Sequence, residues 1–382
     1  MNFDSIHKGC LDPESGSRIV RAELRRDDVE AFLVAANRFQ AIEKRGKQRR
    51  RAGLNASIPR ITARSSVPSS APQTKEPGSK PGSVHAATRS SVAALRVCYP
   101  HMKEFRKEKN RFMNRTELGN LLTARLKNRL FACKQQWESS APINYFHVDD
   151  LLPVEIANKI HAAFPDSSAL MLRKSIRELK YVSSQMNEHS PILEEITFAF
   201  QQPDVVNIVA EITGISLLQP DEHLYAGGIS VMGPGHFLNP HLDNSHDKDR
   251  ERYRTLNLLY YVTPEWKVEN GGNLELWPSG TKAAPTTIAS SFNRLVVMVT
   301  NQHSWHSVST NISNGNRCCV SNYYFSSRPI GGEDYFHPTS FRGRPDEPIR
   351  DVVLRADAAV RGLVRAVRPS GIAKTKHIYK KD

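Results

Sequence analysis

The sequence predicts an α+β domain in which helices support an antiparallel double sheet of the jelly-roll type. Two observations predict it. Apolar residues recur at helical spacing through much of 103–213. From about 223 to 327 the texture changes to short runs rich in β-branched and aromatic residues, punctuated by Gly, Pro and Asn.

Residues 103–137 read as basic helix. Ile143–Val148 is a short strand, and Asp149-Asp150-Leu151-Leu152-Pro153 follows it, with Pro153 suited to the first turn of a helix reaching about Phe164. A second helical region spans about 191–213, interrupted near Pro203, where the ring removes a backbone donor, and ended by Gly214. The predicted strands are His223–Met232, Thr255–Val262, Asn273–Trp277, Arg294–Asn301 and Arg317–Ser326. A final helix over about 347–366 closes the domain.

The N-terminal third is different. Residues 1–130 hold 27 Lys+Arg against 12 Asp+Glu, whereas 131–382 hold 26 against 27, so the formal charge of +14 belongs to the front of the chain. A helix over 18–45 is moderately amphipathic and runs into Lys44–Arg51. From about 52 to 95 the composition is Ser, Pro, Ala, Gly and Thr, too poor in large apolar residues to offset ordering entropy, so residues 1–100 are expected to be mostly disordered. Such a basic flank can meet nucleic acid through residues 1–130, although a solvated tail is the simpler expectation. Met102 and Met113 are alternative candidate starts.

No run reaches membrane-spanning length, and MNFDSIHKGC lacks a signal peptide's apolar stretch. Five scattered cysteines do not make a disulfide framework. Adjacent Cys318 and Cys319 would point to opposite faces of a strand. The expectation is a reduced, cytoplasmic protein without a membrane partner.

Asn239-Pro240-His241-Leu242-Asp243-Asn244 carries the chemistry. In a strand, residues i and i+2 share a face, so His241 and Asp243 can hold one ion together. His306, in Ser304-Trp305-His306-Ser307-Val308, would complete two histidines and one carboxylate, which leaves open positions as in non-haem Fe(II) sites. Eleven residues on, Arg317 can offer a bidentate fork to a carboxylate. A bare His-x-Asp is weak: with 14 histidines about one arises by chance, and His147-Val148-Asp149 is a second, read as structural for want of partners. The His241 motif gains weight from its company. Met232–Leu238 forms a Gly-rich turn before it, and Arg254–Val262 and then Gly271-Gly272-Asn273-Leu274-Glu275-Leu276 follow.

In that order of motifs, residues from about 143 to 328 resemble the prolyl 4-hydroxylase-like branch of the 2-oxoglutarate/Fe(II) oxygenases, in a bacterial-type member. The resemblance implies a double-stranded β-helix with the site at its open end. It implies Fe(II) on His241, Asp243 and His306, with 2-oxoglutarate and O2 as co-substrates, ascorbate as a further reductant, and the distal carboxylate of the keto acid on Arg317. The outcome would be hydroxylation of a small molecule or peptide with release of succinate and CO2. Collagen-type members tend to carry tyrosine at Met232, threonine at Leu274 and lysine at Arg317, so the prolyl substrate does not carry over. The division expected is an extension over 1–100, a helical lead-in over 101–142, the oxygenase domain over 143–366 and a basic tail over 367–382.

Around this core, Tyr260 and Tyr323 are candidates to reach the keto acid, with core packing as the alternative. His303 is the rival third ligand, read as surface. His236 and His246 flank the site, Arg254 suggests a structural ion pair, Trp266, Trp277 and Trp305 suggest core, and Phe336–Arg342 suggests an ordered loop. Two other classes remain: a nucleic-acid-associated adaptor driven by the basic segment, and a non-catalytic β-barrel.

Overall fold

The computed structural model describes residues 113–367 and 378–380. The helix over 18–45, the rest of the 1–100 extension, residues 101–112 of the lead-in and most of the basic tail lie outside the described residues.

Two helices open the described chain, α1 (Arg115–Asn128) and α2 (Leu130–Ser139). Asn114 caps α1 by accepting from the Thr116 and Glu117 amides, and Glu117 accepts from the Asn114 amide in return. Leu118, Leu122 and Leu126, spaced by four, are fully buried; each such side chain contributes about 1.5–3 kcal/mol. Strand β1 (Tyr145–Val148) and helix α3 (Val154–Ala162) follow.

Next comes a hairpin that the sequence reading does not anticipate, β2 (Met171–Lys174) with β3 (Glu178–Ser183). Its alternation is hard to read because one face carries Arg173, Glu178 and Lys180, and that face lines a cavity instead of solvent. Helices α4 (Pro191–Ala199) and α5 (Pro203–Thr213) start on prolines. Gly214 ends α5 at φ +69°, in the left-handed region that glycine tolerates.

The remaining strands are β4 (Leu218–Pro220), β5 (Gly228–Met232), β6 (Phe237–Leu242), β7 (Tyr253–Tyr261), β8 (Leu274–Leu276), β9 (Thr286–Ile288), β10 (Arg294–Val299), β11 (His306–Val308), β12 (Arg317–Ser326) and β13 (Ser340–Phe341). The closing helix is α6 (Pro348–Val367). The strands pair antiparallel in the order β1-β10-β7-β12-β5-β3-β6-β11-β8-β9, and β13 adds to β6. This curled sheet with supporting helices is the expected jelly roll. β5 and β6 are consecutive, joined by the Gly233–His236 turn, and β3 pairs with both across that corner.

The main core lies between the helices and the β1-β10-β7-β12 side, where Phe146, Phe200, Tyr260 and Tyr324 are fully buried. A smaller cluster of Met232, Leu238, Val308, Phe341 and Leu354 seats α6 against β6 and β11. The decoy motif is structural: Asp149 takes a two-pronged bond from Arg294, and His147 meets the Gln136 side chain at 2.9 Å. Cys133, Cys318 and Cys319 are free and buried. Among the described residues no helix is long and apolar enough to cross a membrane.

Candidate metal centre

His241 stands directly opposite His306 in the β6–β11 register, and the two ring centroids are 4.1 Å apart. Asp243, two residues beyond His241, adds its carboxylate to the same point, with Oδ1 3.6 Å from His241 Nε2 and Oδ2 3.8 Å from His306 Nε2. One donor atom from each of the three lies within 4.8 Å of the others, a group that could hold a metal ion.

The imidazoles are oriented for that task. His241 Nδ1 meets the Asn239 carbonyl at 3.0 Å and His306 Nδ1 meets the Ser304 carbonyl at 2.9 Å. A carbonyl only accepts, so each Nδ1 carries the proton and each Nε2 presents a lone pair to the centre. Burial, reinforced by His306, pushes the His241 imidazole down to about 3, so it stays neutral at physiological pH. Burial alone would raise Asp243, but the Arg254 guanidinium outweighs it and holds the carboxyl below its usual range. Neutral imidazole nitrogens with one ionised carboxylate, open on one side, fit Fe(II).

Several neighbours were not assigned to the site from sequence. Arg254 is an ion-pair residue, as expected, but its partner is Asp243 itself, at 3.4 Å, and its guanidinium sits 4.4 Å over the Tyr323 ring. Phe341, from the C-terminal stretch whose role was open, pairs opposite His241 and stacks on its ring at 5.1 Å. No local pattern marks either residue; only the pairing of distant strands brings them in.

The three ligand candidates face a cavity of about 410 Å³. Arg317, Cys319, Ser321 and Tyr323 alternate along β12 into it, while Asn257, Leu259 and Tyr261 do so from β7. Arg317 is buried, its Nε has no hydrogen-bond partner, and its guanidinium lies 5.2 Å over the Tyr261 ring. Gly272 makes room for it: at φ +65°, a Cβ there would stand 3.3 Å from Arg317 Cδ.

The two tyrosine candidates need correction. Tyr260 points away from the cavity into the core, packs on Phe200 and donates to Asn293 Oδ1 at 2.8 Å. Tyr261 takes the place beside Arg317. The reason is parity: Cys319 faces inward and pairs with Tyr261, so Tyr260 must face outward. Tyr323 does face the cavity, but it is six residues from Arg317 along β12, roughly 20 Å. It therefore stands beside Arg254, away from Arg317.

Other expectations divide. His303 is exposed and stands apart from the three ligand candidates. His236 is half-buried against Tyr181, while His246 is buried against Tyr253 and Phe336 instead of being exposed. Trp266 and Trp277 are core, bonded to the Gly271 carbonyl and Ser307. Trp305 is only half-buried, under Arg342.

Residues 227–325 match the sequence model of the 2OG-Fe(II) oxygenase superfamily, so this stretch is an oxygenase domain of that superfamily, a family that needs Fe(II), 2-oxoglutarate and O2. No curated protein matches the chain. Among solved structures, a Pseudomonas putida prolyl-4-hydroxylase is similar at 14% identity and TM-score 0.38, over 51% of this chain and 98% of that one. A Trichoplax adhaerens prolyl hydroxylase, in complex with a hypoxia inducible factor peptide fragment, aligns at 14% identity and TM-score 0.38 over 57% and 96%. HygX from Streptomyces hygroscopicus, with nickel, 2-oxoglutarate and hygromycin B bound, aligns at 12% and TM-score 0.36 over 50% and 86%.

Proposed function

We propose that this oxygenase hydroxylates a small-molecule or peptide substrate, with His241, Asp243 and His306 holding Fe(II) and Arg317 holding the distal carboxylate of 2-oxoglutarate. The observation that carries the reading is the convergence of two Nδ1-protonated imidazoles and one ionised carboxylate on a cavity that also contains a buried arginine with an unpartnered Nε.

When bound, the metal and keto acid together supply the oxidising power for C–H hydroxylation, with succinate and CO2 as by-products. The chain supplies everything else. The Asn239 and Ser304 carbonyls keep the ring protons of the histidines away from the metal. Arg254 keeps the Asp243 carboxylate ionised and aimed. Arg317, with Tyr261 against it, orients the keto acid by a fork matched to a carboxylate. Apolar Met232, Leu274 and Val308 line the same cavity and exclude water. Ascorbate as an auxiliary reductant belongs to the same proposal.

The test is an anaerobic titration of metal-free protein with Fe(II) and 2-oxoglutarate, watched for the visible charge-transfer band of the chelate. The band should form in the wild type, vanish in His306→Ala and require more 2-oxoglutarate in Arg317→Ala. Well-folded protein that binds metal and keto acid without His306 would sink the assignment.

A further inference from the structure

Lys180, on β3, lines the same cavity from a specific position. In the β3–β5 register Tyr181 stands opposite Val231 and Val182 opposite Ser230. Continued by one residue, that register sets Lys180 beside Met232, which is itself opposite Arg317 on β12. Lys180, Met232 and Arg317 therefore form one row across three adjacent strands, and all three side chains line the cavity. Two strand spacings separate the Cα atoms of the two cations, about 10 Å. Both side chains are long and point to the same side, so their heads can close on a dicarboxylate. The five-carbon chain of the keto acid spans roughly 5 Å between its carboxyl carbons.

Three further facts define what Lys180 can do. Strand β3, which carries it, pairs directly with β6, the strand of His241, whereas β12 with Arg317 lies two strands further from β6, so the Lys180 ammonium belongs to the metal side of the cavity. Met232, the residue between the two cations, offers no hydrogen-bond donor from its side chain. Among the described residues Glu178 is the acid that holds Lys180, at 3.1 Å, which fixes the ammonium but leaves further N–H donors for a ligand.

We propose that Lys180 is a second cationic handle on the co-substrate, binding the carboxylate at the metal-chelating end of 2-oxoglutarate while Arg317 holds the other end. This rests on the proposed ligand set and on Arg317. It makes recognition two-headed: the keto acid is gripped by a charge at each terminus, with Glu178 as the residue that positions Lys180.

The experiment measures binding to anaerobic Mn(II)-loaded protein by calorimetry, with two probes. 2-Oxoglutarate carries both ends; 2-oxopentanoate keeps the keto-acid head but ends in a methyl group. Lys180→Met should raise the Kd of both probes by the same factor, about ten- to hundredfold for one lost charge-assisted bond. Arg317→Met should weaken 2-oxoglutarate alone, and Lys180→Arg should regain much of the affinity. Lys180→Gln, which keeps the stem, serves if the methionine variant does not fold, and Mn(II) affinity reports an intact centre in each.

Unchanged binding of 2-oxoglutarate in folded Lys180→Met overturns the handle and leaves the oxygenase reading standing. Loss confined to 2-oxoglutarate would put Lys180 at the distal end and overturn it as well. Wild-type protein that binds Mn(II) but neither probe would overturn the co-substrate reading itself, and the handle with it.

Discussion

Arg254 and Asp243 form a buried ion pair, Nη1 to Oδ2 at 3.4 Å, in which the acid is also a candidate metal ligand. Asp243 Oδ2 has no hydrogen bond, so the arginine is its main compensation while no cation is bound. Burial would lower the Arg254 guanidinium, but Asp243, with Tyr323 and Tyr225 around it, raises it.

Arg254→Met should therefore destabilise metal-free protein by about 3 kcal/mol, the cost of leaving a buried charge uncompensated, and lower its Tm by roughly 6–12 °C. A bound divalent cation replaces the missing charge. The Tm gain on adding Mn(II) should thus be larger in the variant than in the wild type, which differential scanning calorimetry with and without metal will show. Equal gains would mean that Arg254 does not compensate Asp243.

The tyrosine pair on β7 separates core from site. Tyr260→Phe removes the bond to Asn293 and should cost about 1 kcal/mol of stability with 2-oxoglutarate affinity unchanged. Tyr261→Leu should weaken 2-oxoglutarate binding severalfold, because it removes the ring against which the Arg317 guanidinium lies. Thermal melts and keto-acid titrations on both variants decide it; the reverse pattern would restore Tyr260 to the site.

Gly272 and Gly280 share positive φ, +65° and +84°, but a Cβ at Gly272 meets Arg317 whereas one at Gly280 meets nothing within 4 Å. Alanine at either should cost about 1–2 kcal/mol in backbone strain. Only Gly272→Ala should also weaken 2-oxoglutarate, measured as Kd, since only there must the arginine shift.

The Asp149 carboxyl is held below its usual value by the hydrogen bonds from Arg294. A depressed folded pKa means stability that is present above the unfolded value of about 4 and is lost as pH falls through the folded one. Asp149→Asn should therefore melt below the wild type at pH 7, with the gap closing as pH falls below about 4. Melts across that range test it, and a gap independent of pH would mean that the ion pair is not the cause.

Parts of this protein are legible residue by residue. Pro191, Pro203 and Gly214 punctuate α4 and α5 where the sequence reading puts them, because capping chemistry is local. His241 and Asp243 share a face because alternation along one strand is local too. The β2–β3 hairpin was not legible, since its charged face turns inward and defeats the rule that polar residues mark solvent. For Tyr260 the sequence leaves cavity and core both open, because parity on β7 has meaning only relative to β12.

The sequence by itself determined that helices precede a run of short strands, where α4 and α5 start and stop, and which residue types could bind a metal and a carboxylate, since each depends on chemistry within a few residues. Only the tertiary structure decided that His306 faces His241, that Arg254 neutralises Asp243, and that Lys180 stands in one row with Arg317. Those are contacts between strands far apart in the chain, and register between strands is set by packing of the whole sheet, which no local stretch encodes.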